Sequence, residues 1–268
     1  MSRPGTDTGA DSRADAGAVI AADPSVFRLA VLASGRGSNL QAIIEQLHGR
    51  PAANPAVVAP AGGPLAAGEP PVARAVPLIE VALVVSDTPR AVALERACSA
   101  GIRTMAIPFD GYANREEHDL AMVDAIREAG ADLVVLAGYM RLVSPAFVRA
   151  FPWRIVNLHP ALLPAFPGTA SIGDALSYGV KVTGVTIHFV DEDLDTGPVI
   201  VQEPVRVEEG DTEESLAGRI HTVEHRLLPA AIRLIAAGKV RHPLPGSRVV
   251  KVDWTPDSDE TSPGSRTG

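Results

Sequence analysis

Short apolar runs alternate with stretches of helical period along this chain, and that alternation leaves few folds open to it. Phe27 to Ala33 is an apolar run entering the glycine turn Ser34-Gly-Arg-Gly-Ser-Asn39, and a helical pattern over Leu40 to Leu47 follows. The same unit recurs as strand Ile79 to Val85, helix Arg90 to Ala100, strand Arg103 to Ile107 and helix Arg115 to Ala129. Strands are then expected at Leu133 to Ala137, Arg154 to Leu158, Val180 to Val190 and Val199 to Val207. Strands without a polar face need cover on both sides, so the fold expected is α/β, a mainly parallel twisted sheet with helices on both faces. A last amphipathic helix, Asp211 to about Ala236, carries apolar residues at Leu216, Ile220, Val223 and Leu227. Asp211 with Glu214 reads as its capping pair, and Pro229 is expected to kink it or end its first half.

Three segments fall outside this pattern. Residues 1–26, rich in Ala, Asp, Gly and Ser, read as a disordered leader rather than a signal peptide, and 241–268 as a flexible tail. Residues 49–76 hold six Pro, nine Ala and four Gly in 28 positions, a density of proline that forbids a continuous helix or strand. The expected catalytic domain is therefore 27–240, carrying 49–76 as an exposed insertion. A net charge of −8 argues against broad nucleic-acid binding. No apolar run reaches the roughly 18–20 residues that span a bilayer, and one cysteine cannot form an internal disulfide, so a cytoplasmic protein is expected. Cys98 shares an apolar helix stripe with Leu94 and reads as core.

Chemistry concentrates at the expected strand ends. Along Arg154 to Leu158 alternation puts Asn157 and His159 on one face, and Pro160, lacking an N–H, stops the strand there. An amide beside an imidazole can donate to a developing oxyanion, and a carboxylate can hold the imidazole charged. Asp195, before the Gly197-Pro198 turn, is the candidate, although spacing alone does not separate it from Asp191, Glu192 and Asp193. The pattern suggests acyl-type transfer. Ser34 to Asn39 has Gly35 and Gly37 but Leu40 where a dinucleotide fingerprint places its third glycine, which favours one phosphate at Gly37, Ser38 and Asn39 over a dinucleotide. Gly138 to Ser144 suits a flat heteroaromatic ligand or simple core packing, and His188 reads equally as structural or catalytic. His48, His118 and His242 lie in polar or irregular contexts and receive no function. No His, Cys or acidic set has zinc spacing, and no G-x-S-x-G elbow is present.

Together these stretches resemble the folate-dependent phosphoribosylglycinamide formyltransferases of purine synthesis. The resemblance is carried by Ala33-Ser-Gly-Arg-Gly-Ser-Asn-Leu-Gln-Ala-Ile-Ile44, Leu136-Ala-Gly-Tyr-Met-Arg-Leu-Val-Ser-Pro145 and Asn157-Leu-His-Pro-Ala-Leu-Leu-Pro164. Gly184 to Val190, Leu194 to Ile200, Gly210 to Leu216 and Val223-Glu-His225 continue it. It implies a Rossmann-like formyltransferase fold with Asn157, His159 and Asp195 as the catalytic trio. It also implies glycinamide ribonucleotide on Gly37, Ser38, Asn39, His221, Thr222, Val223 and Glu224. The formyl donor, 10-formyltetrahydrofolate, would lie between Met140, Arg141, Leu142, Val143 and the segment Asp191, Glu192, Asp193, Leu194, Asp195, with Asn157 at its formyl group and Arg115 toward its glutamate tail. No metal is implied, nor any nucleic-acid or membrane partner, and a monomer and a homodimer both remain open.

The chain departs from the family at Thr169-Ala-Ser-Ile-Gly173, where a His two residues past Pro-Gly is usual. Formyltetrahydrofolate deformylase shares the trio but carries an N-terminal regulatory domain, for which residues 1–26 are too short and polar. Methionyl-tRNA formyltransferase adds a basic C-terminal domain, where this chain has only a short tail after Val240. A catalytically weak folate or nucleotide binder is the remaining alternative.

Overall fold

A computed structural model describes residues 25–52 and 76–254. In chain order the elements are β1 (Val26–Leu32), α1 (Ser38–Leu47), β2 (Arg50–Pro51), β3 (Leu78–Ser86), α2 (Val92–Ser99), β4 (Thr104–Ala106) and α3 (Arg115–Glu128). They continue with β5 (Leu133–Leu136), α4 (Pro145–Ala150), β6 (Ile155–His159), α5 (Ser171–Tyr178), β7 (Val182–Phe189), β8 (Val199–Arg206) and α6 (Glu213–Ala236). A small pair, β9 (Val240–Arg241) and β10 (Lys251–Val252), follows.

One sheet runs in the order β2-β3-β1-β5-β6-β7-β8, with β4 beside β3. From β4 to β6 the pairings are parallel, while β2, β7 and β8 join antiparallel. Alternation along β1 divides the core: Leu29, Val31 and Ala33 face the side covered by α1, α2 and α6, and Ala30 and Leu32 face α3 and α4. The mainly parallel, doubly covered sheet expected from the apolar strands is the one observed.

Several local expectations are corrected. Cys98 is exposed, because α2 packs through Ala93 and Ala97, small enough to let its backbone approach the glycine turn. The cap of α6 is Thr212, whose side chain accepts from Ser215 N while Ser215 Oγ accepts from Thr212 N. Asp211 binds Arg219 and Ser215 Oγ instead. Pro229 does not end α6, which runs through it. The carbonyl that loses its helical donor there is that of His225, four residues earlier, and Gln46 Nε2 of α1 donates to it at 2.8 Å. The short helices α4 and α5 were not expected. Ser144 caps α4 by accepting from Phe147 N, and Pro145 fits its first turn.

Of the expected insertion, residues 49–52 and 76 are described, and β2 extends the sheet beside β3. Of the expected tail, 241–254 are described and β10 pairs back on β9. The rest of both segments, and residues 1–24 of the leader, lie outside the described residues.

Candidate active site

Three chain reversals meet beyond the carboxyl ends of β1, β5 and β6, where open α/β sheets gather their ligands. The first is the turn into α1. Gly37 stands at φ +68, and a Cβ there would lie 2.8 Å from Ala93, so both conformation and space demand glycine. Among the described residues no side chain caps α1, which leaves its first N–H groups, beginning at Ser38, open to an anion. Asn39 is buried and donates through Nδ2 to Glu224 Oε2 at 2.9 Å, while its Oδ1 has no partner among the described residues. Two expected substrate-binding stretches, 185 residues apart in sequence, are thereby joined. His221 and Thr222 beside them are exposed, with His221 stacked on His225, and Val223 is half-buried against the core.

The second reversal follows β5. Ser34 N–H donates to Gly138 O and Met140 N–H donates to Ser34 Oγ, tying this loop to the glycine turn. Met140 and Leu142 are exposed, Val143 is buried, and the Arg141 guanidinium lies 4.2 Å above the Phe109 ring, with Asp87 at 3.9 Å. From behind, Asp119 of α3 accepts from Ser144 N–H. His118, expected in a polar context, is instead buried against Asp119, with Nε2 2.8 Å from Ile107 O. Arg115 is exposed one helical turn before Asp119 and makes no hydrogen bond or ion pair to either wall among the described residues. Burial raises the Tyr139 hydroxyl well above its ordinary value, with Asp87 and Asp119 adding to the rise.

The third reversal holds the amide, the imidazole and the carboxylate. Register pairs Asn157 with His188 and His159 with Thr186 across β6 and β7, so one face carries a polar stripe while Val156, Leu158, Val185 and Ile187 fill the core behind it. Pro160 ends β6 as expected. The loop after β7 doubles back over this stripe. It can do so because Gly197 has no side chain: a Cβ there would sit 1.6 Å from Phe189 O. Asp195, at φ 53, brings Oδ2 to 3.5 Å from His159 Nδ1 and Oδ1 to 3.5 Å from Asn157 Nδ2. Gly168 N–H donates to the same Oδ2 at 2.8 Å. Of the four acids between 191 and 195, Asp195 is thus the one that meets both the amide and the imidazole. Asp191 accepts from Thr196 Oγ1, Glu192 pairs with Arg149, and Asp193 and Leu194 are exposed.

His188 enters the site as a fourth member. Its Nδ1 lies 2.9 Å from Phe189 O, an acceptor, so Nδ1 carries the hydrogen and Nε2 accepts from Asn157 Nδ2 at 3.2 Å. Burial lowers its basicity, outweighing the opposing effects of the Phe189 carbonyl and Asp195. Cross-strand register is the signal that would have found it. Around His159, Nε2 meets Phe166 O at 2.8 Å and Ser171 Oγ at 3.3 Å, contacts that no sequence pattern announced. Among the described residues no group of three or more His, Cys, Asp or Glu is placed to hold a metal, and no helix is long and apolar enough to cross a membrane.

Fold and site together define an α/β group-transfer enzyme. The formyl transferase family matches residues 73–232. Phosphoribosylglycinamide formyltransferase of Bacillus subtilis is 38% identical over 77% of this chain and 93% of its own length. Glycinamide ribonucleotide transformylase 1 of Symbiobacterium toebii superposes with a TM-score of 0.71 at 39% identity, covering 85% of this chain and 94% of that one. The trifunctional purine biosynthetic protein adenosine-3 of Bos taurus is 39% identical over 81% of this chain, which spans only 19% of that protein's length. The chain belongs to the phosphoribosylglycinamide formyltransferase family.

Proposed function

We propose that the protein transfers the formyl group of 10-formyltetrahydrofolate to the amine of glycinamide ribonucleotide, a step of purine synthesis. The observation that carries this reading is Asp195, which touches both His159 and Asn157 while Gly168 N–H pins it. The free N–H groups at the start of α1 receive the ribonucleotide phosphate at Gly37, Ser38 and Asn39. Glu224, held by Asn39, presents its other oxygen to the ribose hydroxyls, and His221, Thr222 and Val223 line the same stretch of α6. The folate lies between Met140–Val143 and Asp191–Asp195, with Arg115 on the outer side for its carboxylate tail.

The amine attacks the formyl carbon and a tetrahedral oxyanion forms. Asn157 meets that oxygen with the hydrogen it now spends on the longer contact, to Asp195 Oδ1, and keeps its bond to His188. His159, oriented by Asp195 and acting in its protonated form, gives the proton that N10 needs to leave, while the attacking amine loses one to solvent. Preorganisation is the main contribution, since the donors are fixed by strand pairing before substrate arrives.

Purified protein given 10-formyltetrahydrofolate, with and without glycinamide ribonucleotide, tests this reading. Tetrahydrofolate release that depends on the ribonucleotide, with matching formylated product, is expected. Equal release without it would assign the acceptor as water, and no release would leave a binder.

A further inference from the structure

We propose that Ser171 is a positioning residue that holds the transferable proton of His159 on Nε2 by accepting from it, an inference that rests on His159 acting as the acid. Ser171 opens α5 and is 1% exposed, so its hydroxyl has no water to satisfy it. Its Oγ lies 2.8 Å from Gly168 O and 3.3 Å from His159 Nε2. A carbonyl can only accept, so the hydroxyl hydrogen goes to Gly168 O and a lone pair is left facing the imidazole. The other neighbour of Nε2, Phe166 O, is also an acceptor, and both therefore require a hydrogen on Nε2.

The backbone of Gly168 ties the arrangement together. Its carbonyl orients Ser171 on the Nε2 side of the ring, and its N–H holds Asp195 on the Nδ1 side. Gly168 stands at φ +91, a conformation an L side chain rarely adopts. Among the described residues, the remaining groups around the ring add no competing donor. Thr186, opposite His159 in register, spends its hydroxyl hydrogen on Ala161 O. His188, whose Nε2 is 3.8 Å from Asp195 Oδ1, is kept neutral by burial, so Asp195 is the one charged group in contact with the His159 ring among the described residues. When the leaving nitrogen displaces Phe166 O from Nε2, Ser171 is the acceptor that stays, because it is fixed to Gly168 and not to the ligand.

Ser171→Ala and Ser171→Thr in the full chain test this, with His159→Ala as the control. For Ser171→Ala, kcat is expected to fall roughly three- to tenfold, the worth of one hydrogen bond, while KM for both substrates stays within about twofold. Its descending alkaline limb of kcat should also move to lower pH, and the ¹⁵N spectrum should show His159 Nε2 losing its hydrogen at a correspondingly lower pH than in the parent. Ser171→Thr, which keeps the hydroxyl, should restore both readouts. An unchanged pH profile and ring signal in Ser171→Ala, or a Thr variant as impaired as the Ala variant, overturns the role of Ser171 while an inactive His159→Ala leaves His159 as the acid. Turnover surviving in His159→Ala overturns both assignments at once.

Discussion

Replacing Asp195 by Asn removes one charge and, with its oxygen turned to Gly168, the Oδ1 acceptor that Asn157 Nδ2 meets at 3.5 Å. Asparagine keeps the shape and an acceptor oxygen for Gly168 N–H, and it tolerates a positive φ better than most residues, which suits a position at φ 53. The larger loss is the attraction between the carboxylate and the imidazolium form of His159 that serves as the acid, their nearest atoms 3.5 Å apart and their side chains only 4% and 9% exposed. At an effective dielectric of about 20 that attraction is worth about 5 kcal/mol, a ceiling because the amide dipole replaces part of it. At 1.36 kcal/mol per decade the ceiling corresponds to about 5 × 10³-fold, and general acids contribute about 10²–10⁴-fold. We therefore expect kcat to fall by about 10²- to 10³-fold with little change in melting temperature, followed as ribonucleotide-dependent release of tetrahydrofolate. A variant within about tenfold of the parent in kcat, equally stable, would refute the argument that Asp195 sustains the acid.

Two further outcomes concern stability. Gln46→Ala strips the donor from His225 O at the point where Pro229 cannot supply one, and it should cost about 1–3 kcal/mol in urea unfolding. Adding Pro229→Ala returns a backbone N–H to that carbonyl, so the two losses should be less than additive; strict additivity would break the link between them. Burial depresses the basicity of His188 in the folded chain below its ordinary value of 6.5. Its contribution is therefore fully present above pH 6.5 and fades as pH falls toward the folded value, because the unfolded chain binds the proton first. Melting temperatures of a His188→Gln variant should fall less steeply below pH 6.5 than those of the parent, and parallel curves would show that another group sets the slope.

What the sequence made legible is what a single strand or turn decides by itself. Apolar runs with no polar face required cover on both sides, and β1, β3 and β5 received it. Parity put Asn157 and His159 on one face, and Pro160 stopped the strand. Where the outcome depended on a neighbour, local rules misled. Leu94 and Cys98 do share a stripe of α2, but the helix packs through Ala93 and Ala97, with Ala93 pressed against the glycine turn. The helix α5 is eight residues long, too short to show a period, so Ser171 stayed hidden.

The choice of Asp195 over its acidic neighbours shows the same limit within the site. All four residues are equally acidic in sequence, and the selection is made by a chain reversal at positive φ, by the missing side chain of Gly197, and by an N–H offered from Gly168, 27 residues earlier. None of these is a property of the acidic run itself. Pro229 makes the point for stability, since its cost is offset by Gln46, 179 residues from the carbonyl it serves. Chemical type is thus local and readable, whereas the geometry that turns an amide, an imidazole and a carboxylate into one device is assembled from donors that only the folded chain brings near. A variant that spares the trio and disturbs one of those donors, as Gly168 or Gln46 would, is consequently the sharper probe of how this fold makes its site.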